Sequence, residues 1–191
     1  MLMKTTRQIL MLHFVLAIAG LSLAACSRGP AVEAAREDRH LTATPAEQEF
    51  MMNTANAYLS NTDVARLAMH KSQNSEVRDF ANMIQTDDAS ALQDLTDLMN
   101  DTGVSLPSTL TPDMKAEIET MTALSGAELD REFANNMVMT HQKEVEMFRG
   151  QAEMAQTPDV KKYAEDMLPR LEMHLQKAQR LQSKLFGGAR K

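Results

Sequence analysis

Two histidines, two carboxylates and an amide are spaced so that helices would bring them to one level. On a wheel of about 100° per residue, His141 sits at the centre of an apolar stripe that includes Ala134, Met137, Val138, Val145, Phe148 and Ala152. Glu144, one turn further on, shares its face. His174 centres a second stripe of Val160, Tyr163, Met167, Leu171, Ala178 and Leu181. His141 stands about four turns before Gln156-Thr157-Pro158, and His174 about four turns after it. In an antiparallel hairpin the two rings therefore stand at nearly one height, facing inward. Asn61 and Asp88 hold the middle positions of two earlier apolar stripes, whereas Asp87, one step round, is expected to point off the seam. Buried without partners, such groups cost about several kcal/mol, so they must meet one another, water or a metal.

Two chemistries fit these residue types. One is a single divalent ion (zinc, ferrous iron or copper) held by His141 and His174 with Asp88 or Glu144. The other is a hydrogen-bonded polar layer that fixes helix register through His–carboxylate pairs, and it is the reading preferred from sequence. Redox catalysis fits worst. A di-iron site asks for a Glu on each of two helices and two Glu-x-x-His pairs, and the mature helices contain no Glu-x-x-His. No Gly-rich phosphate loop, Ser/His/Asp order or Cys/His pair is present either. No catalytic residue is assigned, and the only cofactor considered is the divalent ion. Among the remaining histidines, His40 falls in a polar stretch, and His70 falls near a helix end where a cation suits the dipole.

The 16 methionines pose a separate question. Met139, Met147 and Met154 lie on the face opposite His141, an outward stripe. Thioethers there suit cuprous ion or sacrificial oxidation. Packing beneath another segment is the preferred account, because methionine fills irregular gaps. Met137-x-Met139-x-His141 resembles a copper motif, but Met139 points away from His141.

The elements that must position these groups are helical. With aromatics at 4%, no Trp, seven Gly and six Pro, the core has to be built from Leu, Ala, Val and Met, and the chain reads as all-α. Thr44-Pro45-Ala46-Glu47 is a capping box with Pro at the first helical position, opening a helix to about Ser72. Gln73-Asn74-Ser75 is a short link to a second, antiparallel helix that ends near Thr102, with Gly103 as its stop. Residues 103–113 form a loop with two prolines, and Thr111-Pro112-Asp113 caps a short helix to about Ala123. Residues 126–186 then form the second hairpin. Pro169 inside its last helix frees the Glu165 carbonyl and kinks the chain just before His174. The long connection can span a bundle about 40 Å tall, which makes the expected fold a ferritin-like four-helix bundle: two hairpins joined by a crossover that carries a short helix. Residues 75–81 also match residues 158–164 at an offset of 83, each opening the second helix of a hairpin.

Ahead of the bundle, residues 1–25 read as a secretory leader: Lys4 and Arg7, an apolar run from Ile9 to Leu23, then Ala24-Ala25. Leu23-Ala24-Ala25-Cys26 resembles the lipobox of bacterial lipoproteins. That resemblance implies cleavage before Cys26, the only cysteine, and its acylation. Ser27 after it is similar to the outer-membrane sorting pattern, so the expected place is the outer membrane, facing the periplasm. Residues 26–43 become a lipidated tether, 44–187 the bundle and 188–191 a tail. Losing Lys4 and Arg7 with the leader leaves 26 acidic residues against 18 of the 20 basic ones, a net charge of −8. An acidic body argues against nucleic acid as a partner. The membrane, through the anchor, is the expected partner, with a protein partner or a homo-oligomer left open.

The helical stretch also resembles a family of bacterial envelope proteins known as domain of unknown function 4142. The residues that carry this are Glu76-Val77, Phe80-Ala81, Thr86-Asp87, Leu124-Ser125-Gly126, Leu129-Asp130, the His141 helix, and Leu168-Pro169-Arg170-Leu171-Glu172-Met173-His174-Leu175. The resemblance implies a ferritin-like bundle over about residues 48–185 and no established activity. This chain departs from the family pattern at Asp88, where a His is usual, and at Asn61, where a Glu is common.

Overall fold

The computed structural model describes residues 42–187. The expected leader, Cys26, His40 and nearly all of the tether lie outside the described residues, as does the tail. Within them the chain is all-helical: α1 (Pro45–Lys71), α2 (Ser75–Asp101), α3 (Pro112–Ala123), α4 (Gly126–Met154) and α5 (Pro158–Gly187). None of these helices is long and apolar enough to cross a membrane.

The local signals act where the sequence puts them. Thr44 Oγ1 accepts from the Glu47 amide at 3.3 Å while Glu47 returns a carboxylate oxygen to the Thr44 amide at 2.7 Å. Asn74 caps α2 by accepting from the Glu76 and Val77 amides, and Thr111 caps α3 through the Met114 amide. Gly103 ends the α2 region at φ +75°, a conformation that costs a side-chain-bearing residue about 1–2 kcal/mol. Pro169 stays inside a continuous α5.

Cross-helix pairs fix the topology. Glu47 of α1 meets Gln156 and Thr157 at the end of α4, and Asn61 meets Glu144, so α1 and α4 are antiparallel. Lys184–Glu76 and His174–Asp87 set α5 antiparallel to α2 in the same way. The strongest packing is within the pairs α1/α2 and α4/α5. The chain must therefore climb the full height between α2 and α4, and α3 lies on that crossover against α1 and α4.

The apolar core is divided in two. One cluster holds Phe50, Met51, Tyr58, Ala91, Leu95, Val145, Phe148, Val160 and Leu171. The other holds Val64, Ala65, Ile84, Phe80, Phe133, Met137, Val138, Ala178 and Leu181. On every long helix the break falls at the polar position singled out above: between Tyr58 and Val64, Ile84 and Ala91, Val138 and Val145, Leu171 and Ala178.

Candidate functional site: the layer between the two cores

Asn61, Asp88, His141, Glu144 and His174 all occupy that break and all are buried, the two histidines completely. The rings stack edge to face, with centroids 5.3 Å apart. Asn61 Nδ2 donates to Glu144 Oε1 at 3.0 Å, and Asn61 is also hydrogen-bonded to Asp88. Glu144 Oε2 lies 3.8 Å from His141 Nε2, too far for a good hydrogen bond.

Each imidazole is held by one nitrogen. His141 Nδ1 is 2.8 Å from the Met137 carbonyl, which can only accept, so that nitrogen carries the proton. His174 Nε2 is 2.9 Å from Asp87 Oδ2, and the carboxylate assigns the proton there in the same way. The opposite nitrogens, His141 Nε2 and His174 Nδ1, bear lone pairs and have no hydrogen-bond partner among the described residues; nor do Asp88 Oδ2 and Glu144 Oε2. An N–H anchored on a carbonyl or carboxylate, with the other nitrogen free, is the arrangement that orients metal-binding histidines.

Burial sets the protonation of the layer. His141 is pulled down to about 4 by loss of solvent, with His174 adding to the effect. His174 is lowered by burial against the opposing pull of Asp87. Desolvation pushes Asp88 up to about 7, helped by Asp87, and pushes Glu144 well above the carboxylate range, helped by Asp88. Burial therefore favours uncharged rings and the protonated form of Glu144, the direction a dry interior imposes.

The structure brings together every residue predicted for this level and corrects one of the readings. Asp87, expected to point off the seam, is half-buried and is the direct partner of His174. It sits at the α2/α5 edge, where a side chain one step round the helix still reaches the neighbouring ring. A second pair was missed. Tyr58 and Tyr163 place their hydroxyls 3.3 Å apart, and the Ala91 carbonyl accepts from Tyr163 at 3.2 Å. Both are buried deeply enough to raise their phenols above the ordinary value. On a wheel they read only as large apolar side chains; the signal was that a buried tyrosine hydroxyl needs a partner. Among the described residues, no three His, Cys, Asp or Glu side chains stand together as a ready ligand set for one ion.

These features define an all-helical protein with a buried imidazole–carboxyl layer. The chain belongs to the family described as domain of unknown function DUF4142, whose model matches residues 32–181. In fold it is similar to a DUF305 fragment from Deinococcus radiodurans, with a TM-score of 0.67 and 20% identity over 74% of this chain and 98% of that one. It is also similar to a secreted-protein candidate of the DUF305 group from Streptomyces coelicolor, with a TM-score of 0.63 and 16% identity over 73% of this chain and 93% of the other. No curated protein matches it in sequence.

Proposed function

We propose that this chain is a lipid-anchored protein of the cell envelope, held at the outer membrane through Cys26, whose body is a ferritin-like four-helix bundle acting as a non-catalytic binding module. The up-down-down-up order with α3 on the crossover supports the bundle reading. One observation carries the binding role: both buried rings have their N–H anchored and their lone pairs unpartnered. A layer kept only for register would be expected to use those nitrogens, because an unmet buried polar atom costs about 1–3 kcal/mol.

The occupant that suits this chemistry is one divalent ion on His141 and His174. Asp88 or Glu144 would turn in to complete the set with water. Deprotonation of the carboxyl would accompany binding, since metal ligands must give up their protons. The second reading is a purely structural layer, favoured by the lack of three converged ligands.

Elemental analysis of the natively purified mature protein separates the two. The binding reading expects close to one metal per chain, lost in the His141→Ala/His174→Ala variant. Content below about a tenth per chain, unchanged by that variant, leaves the layer structural. Globomycin-sensitive processing, together with loss of membrane fractionation in Cys26→Ser, tests the anchor.

A further inference from the structure

Glu144 belongs to two places at once. Between α1, α3 and α4 lies a pocket of about 520 Å³ whose lining includes Asn61 and Glu144, each 2% exposed. On its other side Glu144 Oε2 stands 3.8 Å from His141 Nε2. The partition between the pocket and that lone pair is therefore one side chain thick. It is latched by the Asn61–Glu144 hydrogen bond, and Asn61 keeps its bond to Asp88 when Glu144 turns away. The opposite edge of the layer presents something else. There Asp87, its side chain 31% exposed, accepts from His174 Nε2 at 2.9 Å, so a solute meets a carboxylate and an N–H rather than a lone pair.

The pocket is built to be entered. Asn53, Ser60 and Thr140 give its walls hydrogen-bonding groups that water can use. Its roof is the loosely held half of α3. Met121 and the Lys71 bond to the Thr122 carbonyl pin the C-terminal end of that helix. Asp113, Met114 and Glu117, which line the pocket, are exposed or half-buried, and sparse burial makes local opening easy. Asp113 and Glu117 set negative charge against Lys143 at the same pocket, a balance that favours a cation over an anion. We propose that this pocket is the entrance to the buried layer, through which a hydrated divalent cation reaches His141, and that Glu144 is the movable partition it must pass. That the solute is a divalent ion rests on the binding reading; the route does not.

Diethyl pyrocarbonate, which acylates unprotonated imidazole nitrogen, tests the route on the mature protein without metal. Peptide mass spectrometry would follow the rate at His141 relative to the exposed His70. Thr140→Trp fills the pocket from a half-buried position and should slow His141 at least about tenfold relative to His70. Met114→Trp, filling it from the roof, should do the same should the first variant misfold by circular dichroism. Glu144→Ala should speed His141 several-fold, and adding Thr140→Trp should remove most of that gain, which general loosening of the bundle does not allow. A relative rate unchanged by both tryptophans, or unchanged by Glu144→Ala, would overturn the proposal. Cobalt(II) uptake supplies the ion arm: Thr140→Trp should slow it at least about tenfold with the final content unchanged, and uptake at the wild-type rate would also overturn the entrance. If wild type takes up no cobalt while the acylation pattern holds, the entrance stands and the divalent-ion reading falls.

Discussion

Asp88 bears much of the electrostatic cost of the layer. Its folded pKa is raised from 3.8 to about 7, chiefly by burial, so the folded state holds this proton more tightly than the unfolded chain. Its contribution to stability is then lost as pH climbs from the unfolded value through about 7. His141 runs the other way: lowered from 6.5 to about 4, it favours the folded state above 6.5 and loses that contribution as pH falls through 4. Asp88→Asn keeps the shape and removes one trend. In metal-free protein the variant should match wild type within about 0.5 kcal/mol at pH 4 and exceed it by about 2 kcal/mol at pH 8, measured by urea denaturation. A variant weaker at pH 8 would mean that a cation already meets this carboxylate. Asp87→Ala strands the His174 N–H in the interior and should cost about 1–3 kcal/mol. Nitrogen NMR of the ring should show the fixed tautomer replaced by a mixture.

At the scale of elements, Glu47 does two jobs. It closes the capping box of α1, and its oxygens also accept from the Gln156 and Thr157 amides at 2.7 Å and the Thr157 hydroxyl at 2.9 Å. The first helix is thereby clasped to the turn between α4 and α5. These donors outweigh desolvation and hold the carboxyl at about 2, down from 4.5. That stability is present above pH 4.5 and disappears as pH drops through about 2. Glu47→Gln should cost about 2–3 kcal/mol near neutrality, with the deficit shrinking toward pH 2 in thermal melts. The box was legible in Thr44-Pro45-Ala46-Glu47 because a cap is a relation between near neighbours. The clasp was not, since it joins residues more than a hundred positions apart. Asp87 was misread for the same reason. A wheel places a side chain on its own helix, but whether it reaches the next helix depends on their separation and tilt. The middle positions of Asn61, Asp88, His141 and His174 were readable because each interrupts an apolar stripe, and hairpins with short links align such interruptions.

For the whole molecule, the division of the core into two clusters with a polar sheet between them is the feature that stability alone would not select. Replacing a buried polar network with matched apolar side chains is often neutral or stabilising, by about 1–4 kcal/mol. Asn61→Leu, Asp88→Leu, His141→Leu, Glu144→Met and His174→Leu made together would fuse the two clusters of the core. If the layer exists to bind, the fused variant should unfold at higher denaturant, keep its hairpin pairing and lose its ion. If the layer exists to set register, the variant should lose the single alignment that pairs Glu76 with Lys184 and Glu47 with Thr157. Spin labels at the exposed positions Asp79 and Arg180 would then report a spread of distances in place of one. A narrow distance distribution together with a raised denaturation midpoint is the expected result, because the clasp at Glu47 and the short links at 72–74 and 155–157 already fix the register. Positional order supplied from the ends leaves the middle free to be chosen for what it holds.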